Sequence, residues 1–583
     1  MRSDPRSRPS VEGPAQHDDS RPPARRVIAI GLDAADPVLI EKWMAEGHLP
    51  NIARLRTEGA YGRVRGSAEL HGERVEAFET EPLWVEFATG CRQNKTGAWS
   101  AFRYTPGEYG ISTIDEGLPA FDAFEPFYAL GEKRKVAVFD LPITRLSDRV
   151  DGVQVLGWGG HHPLTGRHSN PAGLFDELSR RHGENAVVFK DNGIWWDKDY
   201  LKWLDGALAS SVRARTAICL DLMERDDWDL FLAVFAEPHT AGHDVYCFSQ
   251  PDHPLYSALA SERPAEDLLL RTYQDVDRAI GEIAAKAPSD AVLMCFSLHG
   301  MGPNYSDLLS SVVISELLYR FNFPGSAALG AAGSDSPPGP LITHPRRKSW
   351  IGELWTRYNG TSPIARFVRS RLPGSLLKGS YHDLASPFTD QARDEEMLWH
   401  PAMWYRPMWP KMKAFALPGF TKGRIRINLR GRDPHGIVEP GDYDALCTEI
   451  EGHLRRLRDA RSGEPLVKAV YRTRRDSLAD DPKLPEFDLD VLWHERITDV
   501  VDSPDFGRIG PFPHFRAGTH WNRGFVAAAG PGIAAGTSLP TAAAVDFAPT
   551  ILQLMGCRLP AHLDGRPLFQ ADLEPAEAES SAA

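Results

Sequence analysis

The sequence predicts an α/β fold: a mostly parallel central sheet sandwiched by helices, with an inserted cap region. Three observations lead there. Short, unbroken apolar runs recur at residues 27–32, 136–139, 230–235, 291–296 and 525–529, the pattern of strands buried on both faces. The spacers between them are long enough for the crossover helices that parallel strands require. The alternation then fails from about residue 303 to 515. Residues 27–302 and 516–572 are therefore expected to build the core, 303–515 the insertion or cap, and 1–26 and 573–583 disordered tails.

Residues 1–26 are rich in Arg, Pro and Ser and contain no apolar run, which suits a disordered tail and not a secretion signal. Arg25-Arg26 leads straight into the first strand, so the expected location is cytoplasmic. The run 27–32 ends in Gly31-Leu32-Asp33, and Pro37 opens a helix-like stretch with Leu39, Ile40, Trp43 and Met44 on its apolar positions. Thr80 begins a second helix-like stretch that ends at Thr89-Gly90. A threonine there suits a helix N-cap. It also suits a nucleophile, because helix N-terminal N–H groups favour an alkoxide and a bound phosphoryl group. The two roles are compatible.

Ligands in open α/β sheets gather at the carboxyl ends of the strands. Asp33, Glu237-Pro238-His239 and His299 each follow an apolar run at that end, and His520 precedes the last one. Within the insertion, 325–340 reads as a flexible Gly/Ala/Ser/Pro loop, and 345–415 is rich in Trp, Arg and Pro without clear period. Residues 424–429 alternate as a half-buried strand should, and 443–458 have helical spacing.

A net charge of -13 argues against a nucleic-acid polymer as partner, so an anionic substrate would have to be drawn by a local feature such as bound metal. No stretch approaches the roughly 18 apolar residues of a membrane span. Six scattered cysteines with no CxxC pair read as reduced, mostly buried thiols.

His239 and His243 lie four apart after a strand, where either a helix face or a glycine-containing loop brings the rings together. Such a pair suits zinc, and a structural or surface role suits it as well. His299 and His520 carry the same two readings, as ligands or as hydrogen-bonded strand-end residues. His161, His162 and Trp195-Trp196 read as surface or packing residues that could also line a pocket. Arg430-Gly431-Arg432 reads as a solvated charged turn that could also meet a phosphate.

Taken together, Gly31-Leu32-Asp33-Ala34-Ala35-Asp36-Pro37, Leu49-Pro50-Asn51-Ile52, Thr80-x-Pro82-x-Trp84, Glu237-x-His239-x-x-Gly242-His243, Ser297-x-His299-Gly300, Gly518-x-His520 and Asp564-Gly565-x-Pro567-Leu568 resemble the ordered motifs of type I phosphodiesterases and nucleotide pyrophosphatases, in the alkaline-phosphatase superfamily. The resemblance implies an alkaline-phosphatase-like fold and two metal ions, usually zinc. It also implies a threonine or serine that attacks phosphorus to give a phospho-enzyme. Carried over by position, Asp33, Thr80 and His299 fall on one metal and His239, His243 and His520 on the other.

Three departures stand out. Leu298 occupies the place of an aspartate ligand, His239 that of a carboxylate, and the stretch around Trp99-Ser100-Ala101 lacks the asparagine that often holds a phosphoryl oxygen. The three-histidine site remains complete, whereas the Asp33/Thr80/His299 site is weakened unless Asp36, Glu237 or the substrate supplies an oxygen. The expectation is a metal-dependent phosphodiesterase or nucleotide-pyrophosphatase-like hydrolase with one or two zinc ions, acting on a small phosphate ester. Alternatives on the same scaffold are a phosphomonoesterase, a phosphonate hydrolase, a phosphotransferase and a catalytically silent metal-binding relative. Thr80 cannot supply a sulfatase formylglycine. Substrate-binding residues and oligomeric state stay open.

Overall fold

In the computed structural model, which describes residues 25–113, 119–159, 166–188, 193–261, 263–264, 266–329, 339–344, 347–358, 368, 384–388 and 397–569, the apolar runs become one nine-stranded sheet. Its strands are β1 (Arg26–Leu32), β2 (Ala60–Val64), β3 (Lys135–Phe139), β4 (Asp151–Leu156), β5 (His168–Asn170), β6 (Leu230–Phe235), β7 (Ala291–Ser297), β8 (Gly524–Ala529) and β9 (Thr537–Ser538). The spatial order is β9-β2-β8-β7-β1-β6-β3-β4-β5. β1 is central and runs parallel to both β6 and β7. Only β8 and β5 oppose the remaining strands, β8 lying antiparallel between β7 and β2.

Alternate residues of β1 serve two cores. Ile28, Ile30 and Leu32 join one apolar cluster, and Val27 and Ala29 the other. The first cluster is covered by helices α4 (Lys198–Met223), α5 (Glu237–Ser249) and α6 (Leu268–Lys286), through Leu204, Val245 and Val276. The second is covered by α3 (Thr80–Thr89) and α7 (Phe547–Leu554), through Val85 and Ile551. Helices α1 (Pro37–Ala45) and α2 (Pro50–Glu58) connect β1 to β2, and both start at a proline, the residue best suited to a first helical turn.

Within 303–515 lies a four-stranded antiparallel sheet in the order Ala414–Leu417, Gly423–Ile427, Leu489–Trp493, Val467–Arg472. The expectation of a half-buried strand at 424–429 is corrected. Gly423–Ile427 is buried on both faces. Ile425 and Ile427 enter the apolar core, while Arg424 and Arg426 are buried by ion pairs to Glu79 (2.5 Å) and Asp433 (2.7 Å). A buried guanidinium is tolerable only when so paired. Helix Tyr443–Arg455 follows the predicted spacing.

Among the described residues all six cysteines are free thiols, five of them buried, and no helix is long and apolar enough to cross a membrane. Apart from Arg25 and Arg26 the expected tails lie outside the described residues, as do His161, His162 and most of the 325–340 loop.

Candidate active site

Strand ends and one β-ribbon bring the predicted residues together. Asp33 follows β1, α5 begins just after β6, and His299 lies between β7 and the short strand Gly300–Pro303. That strand pairs antiparallel with Gly518–Trp521, setting His520 opposite Met301. The segment 239–243 is helical, so His239 and His243 share one face of α5, ring centroids 4.5 Å apart. Gly242 is needed for close approach and not for a loop. A Cβ there would come within 2.5 Å of the Met301 side chain, and one at Gly518 within 2.4 Å of the Gly242 carbonyl.

The three Nε2 atoms of His239, His243 and His520 converge. His239 Nε2 lies 2.7 Å from His243 Nε2 and 2.9 Å from His520 Nε2. The outer nitrogens fix the tautomers. His239 Nδ1 donates to Asp33 Oδ2 at 2.9 Å, and His243 Nδ1 donates to the Gly518 carbonyl at 2.8 Å. A carboxylate and a carbonyl can only accept, so both neutral rings turn Nε2 lone pairs toward each other. Two acceptors at 2.7 Å repel unless a cation lies against both, and an outward N–H bond to carboxylate or carbonyl is how metal-binding histidines are held. Among the described residues these three form the one buried group of histidine, cysteine or acidic side chains close enough to hold a metal, and the donor set fits the open three-nitrogen arrangement of catalytic zinc. Burial, followed by neighbouring His299, His239, His243 and Arg516, holds His520 well below the usual imidazole range, which keeps it neutral for ligation.

Thr80 is fully buried beside this group, its Oγ1 2.9 Å from His299 Nε2 and 3.0 Å from His520 Nδ1. It is the first residue of α3 and not the cap. Glu79 takes the extended cap position and turns its carboxylate away to Arg424 and Thr421.

The second metal set is only partly assembled. Asp33 Oδ2 accepts from His239 and Oδ1 from Trp84 Nε1 at 3.2 Å, while His299 Nε2 lies 3.9 Å from Oδ1. Leu298 is packed in the core cluster with Trp84 and Phe296, and so contributes apolar surface where a carboxylate ligand was expected.

The two possible auxiliary carboxylates, Asp36 and Glu237, both have arginine partners. Asp36 caps α1 through the Val38 N–H and accepts from Arg523 Nε at 2.6 Å. Glu237 accepts from Arg215 Nε, and Arg215 also donates to Asp140 at 2.6 Å. Each carboxylate is thus engaged by an arginine. Trp195 and Trp196 take packing roles, their indole N–H groups donating to the Phe515 and Arg347 carbonyls. Of the charged turn, Arg430 is exposed, whereas Arg432 is partly buried and pairs with Asp488 at 2.7 Å.

Sequence reasoning passed over Arg516. Its Nη1 lies 3.1 Å from His243 Nε2, and its Nε donates to Asp307 Oδ2 at 2.7 Å. The available signal was a charge two residues before the Gly518-x-His520 motif.

No curated protein matches the sequence. Similar solved structures include phosphonoacetate hydrolase from Sinorhizobium meliloti 1021 in complex with phosphonoformate, at 13% identity and TM-score 0.44, covering 92% of this chain and 96% of that one. Murine ectonucleotide pyrophosphatase / phosphodiesterase 5 is similar at 12% identity and TM-score 0.43, covering 92% and 96%. The human form is similar at 11% and 0.43, covering 93% and 97%. Residues 76–331, the segment that holds Thr80, His239, His243 and His299, match the family model of type I phosphodiesterase / nucleotide pyrophosphatase.

Proposed function

We propose that the chain hydrolyses a small phosphodiester or pyrophosphate-type ester with Thr80 as nucleophile and one zinc ion held by His239, His243 and His520. The observation that carries the reading is the Thr80 hydroxyl, set between two imidazole nitrogens at the N-terminus of α3. Bound zinc would supply Lewis-acid polarisation of a phosphoryl oxygen.

The chain's own residues do the rest. With Nε2 of His520 turned to the histidine cluster, its Nδ1 carries the proton and donates to Thr80 Oγ1. The Thr80 hydroxyl proton then points to His299 Nε2, which takes it as general base when Oγ1 attacks phosphorus. The N-terminal N–H groups of α3 stabilise the alkoxide and the phosphoryl group on Thr80. The alkoxide expelled on the face opposite Thr80 takes its proton from water. Attack by water from that face releases the phosphate monoester, and His299, 2.9 Å from Oγ1, returns its proton to Thr80. This assigns His299 to proton transfer in place of a second metal.

Thr80→Ala is expected to abolish hydrolysis of bis(p-nitrophenyl) phosphate with zinc content unchanged. Turnover at the wild-type rate would sink the nucleophile assignment, and a wild-type protein that holds zinc but cleaves no phosphodiester would favour a silent relative, for which Leu298 speaks.

A further inference from the structure

Arg516 is held by a more elaborate set of contacts than a structural ion pair needs. Its side chain is 7% exposed, close to the Phe420 and Phe515 rings, 4.8 and 5.4 Å from guanidinium carbon to ring centre. Asp307 anchors it: Oδ2 accepts from Arg516 Nε at 2.7 Å and from Asn304 Nδ2 at 2.8 Å, and Oδ1 accepts from Thr519 Oγ1 at 3.0 Å. An arginine placed only to neutralise Asp307 would meet it with a two-nitrogen fork. Here only Nε is given to the carboxylate. Nη1 turns to His243 Nε2, and Nη2 has no hydrogen-bond partner among the described residues although it is buried. A guanidinium does not deprotonate, so a permanent positive donor stands unused beside the three histidines. Leaving such a group desolvated and unpaired is costly, and the cost is relieved by an anion.

We propose that Arg516 binds a non-bridging oxygen of the substrate's phosphoryl group, the part for which the sequence around Trp99-Ser100-Ala101 offers no asparagine. This deepens the hydrolase reading and rests on it. Arg516 Nη1 lies 3.1 Å from His243 Nε2, so an oxyanion bound at the three-histidine group is within reach of the guanidinium. Asp307 is a positioning residue: it fixes the guanidinium without occupying Nη2.

The test is calorimetric titration of inorganic phosphate into the full chain after zinc loading, with zinc per chain measured on the same sample. Arg516→Met removes the guanidinium and keeps a long unbranched side chain. Arg516→Met/Asp307→Asn also removes the carboxylate charge that the single variant leaves unpaired. Both are expected to hold zinc as wild type does and to bind phosphate about ten- to a hundredfold more weakly, the worth of one or two charge-assisted hydrogen bonds. Phosphate binding by a folded double variant at wild-type strength overturns the proposal. A wild-type protein that holds zinc yet binds no phosphate overturns it too, while sparing the metal centre. Phosphate binding that needs Arg516 in protein unable to hold zinc upholds it and removes the metal centre instead.

Discussion

Asp33→Asn separates the orienting role of Asp33 from a ligand role. The carboxylate satisfies two buried donors at once, His239 Nδ1–H through Oδ2 and Trp84 Nε1–H through Oδ1. An amide of the same shape has one acceptor, so one of those donors must face an NH2 group, at about 1–3 kcal/mol. If His239 is the loser, its ring loses both its fixed tautomer and part of its basicity. Loss of such an outer partner lowers metal affinity about 10–100-fold, or about 1.4–2.8 kcal/mol at 1.4 kcal/mol per decade. The assay is competition for zinc against a fluorescent chelator, paired with thermal unfolding with and without metal. The metal-free variant should lose the unmatched-donor cost alone, and the loaded variant should lose the metal term as well. Adding Trp84→Phe removes the competing donor, lets the amide oxygen turn to His239, and should recover much of the zinc affinity despite the smaller core residue. Zinc binding by Asp33→Asn at wild-type strength would refute the claim that Asp33 acts through His239.

Three further outcomes follow from the same contacts. Burial pushes His253 down to about 3; its Nδ1 accepts from the Leu255 N–H and its Nε2 donates to the Ala517 carbonyl. Because the unfolded chain binds a proton near pH 6.5 and the folded one does not, the contribution is intact above about pH 6.5 and falls by up to about 1.4 kcal/mol per pH unit as pH drops toward 3; His253→Gln should flatten the urea midpoint against pH in that window. Arg424→Met strands the buried Glu79 carboxylate just before Thr80 and should destabilise by about 3–5 kcal/mol, read as the urea midpoint, with Glu79→Gln in the same chain recovering part of it. Leu298→Asp places an unpaired carboxyl among Trp84 and Phe296, so it should lower stability by several kcal/mol, on the order of a buried unpaired charge, without raising zinc per chain to two; two tightly held ions by elemental analysis would contradict the one-metal reading.

The strands and the ligand-bearing edge were legible because each rests on a local signal: an unbroken apolar run, then a polar residue at its carboxyl end. His239 and His243 were legible for the same reason, with only four residues between them. What escaped the sequence depends on partners distant in the chain. Thr80 and His520 are separated by 440 residues and Arg215 and Asp140 by 75, so neither the hydroxyl's two imidazoles nor the arginine that claims Glu237 leaves a pattern in either segment. Asp33 stood out in the sequence at the carboxyl end of β1, but its hydrogen bond to His239 depends on ring orientation. Arg424 and Arg426 mimic the polar half of an alternating strand, and only the acids that face them reveal that both sides are buried.

The antiparallel placement of β8 bears on how the protein is made. Among the described strands β2 joins the rest of the sheet only through β8, and the free edge of β7 is closed by β8 as well. Arg65 and Asn522, which sit at that junction, lie 457 residues apart. At typical ribosomal speeds the early strand and the open edge wait about half a minute to a minute and a half for their partner, exposing the kind of edge that invites wrong pairing. The third histidine is made in the same late stretch. Completion of the sheet and completion of the three-histidine group thus arrive together, and a nascent chain halted before residue 520 would present neither.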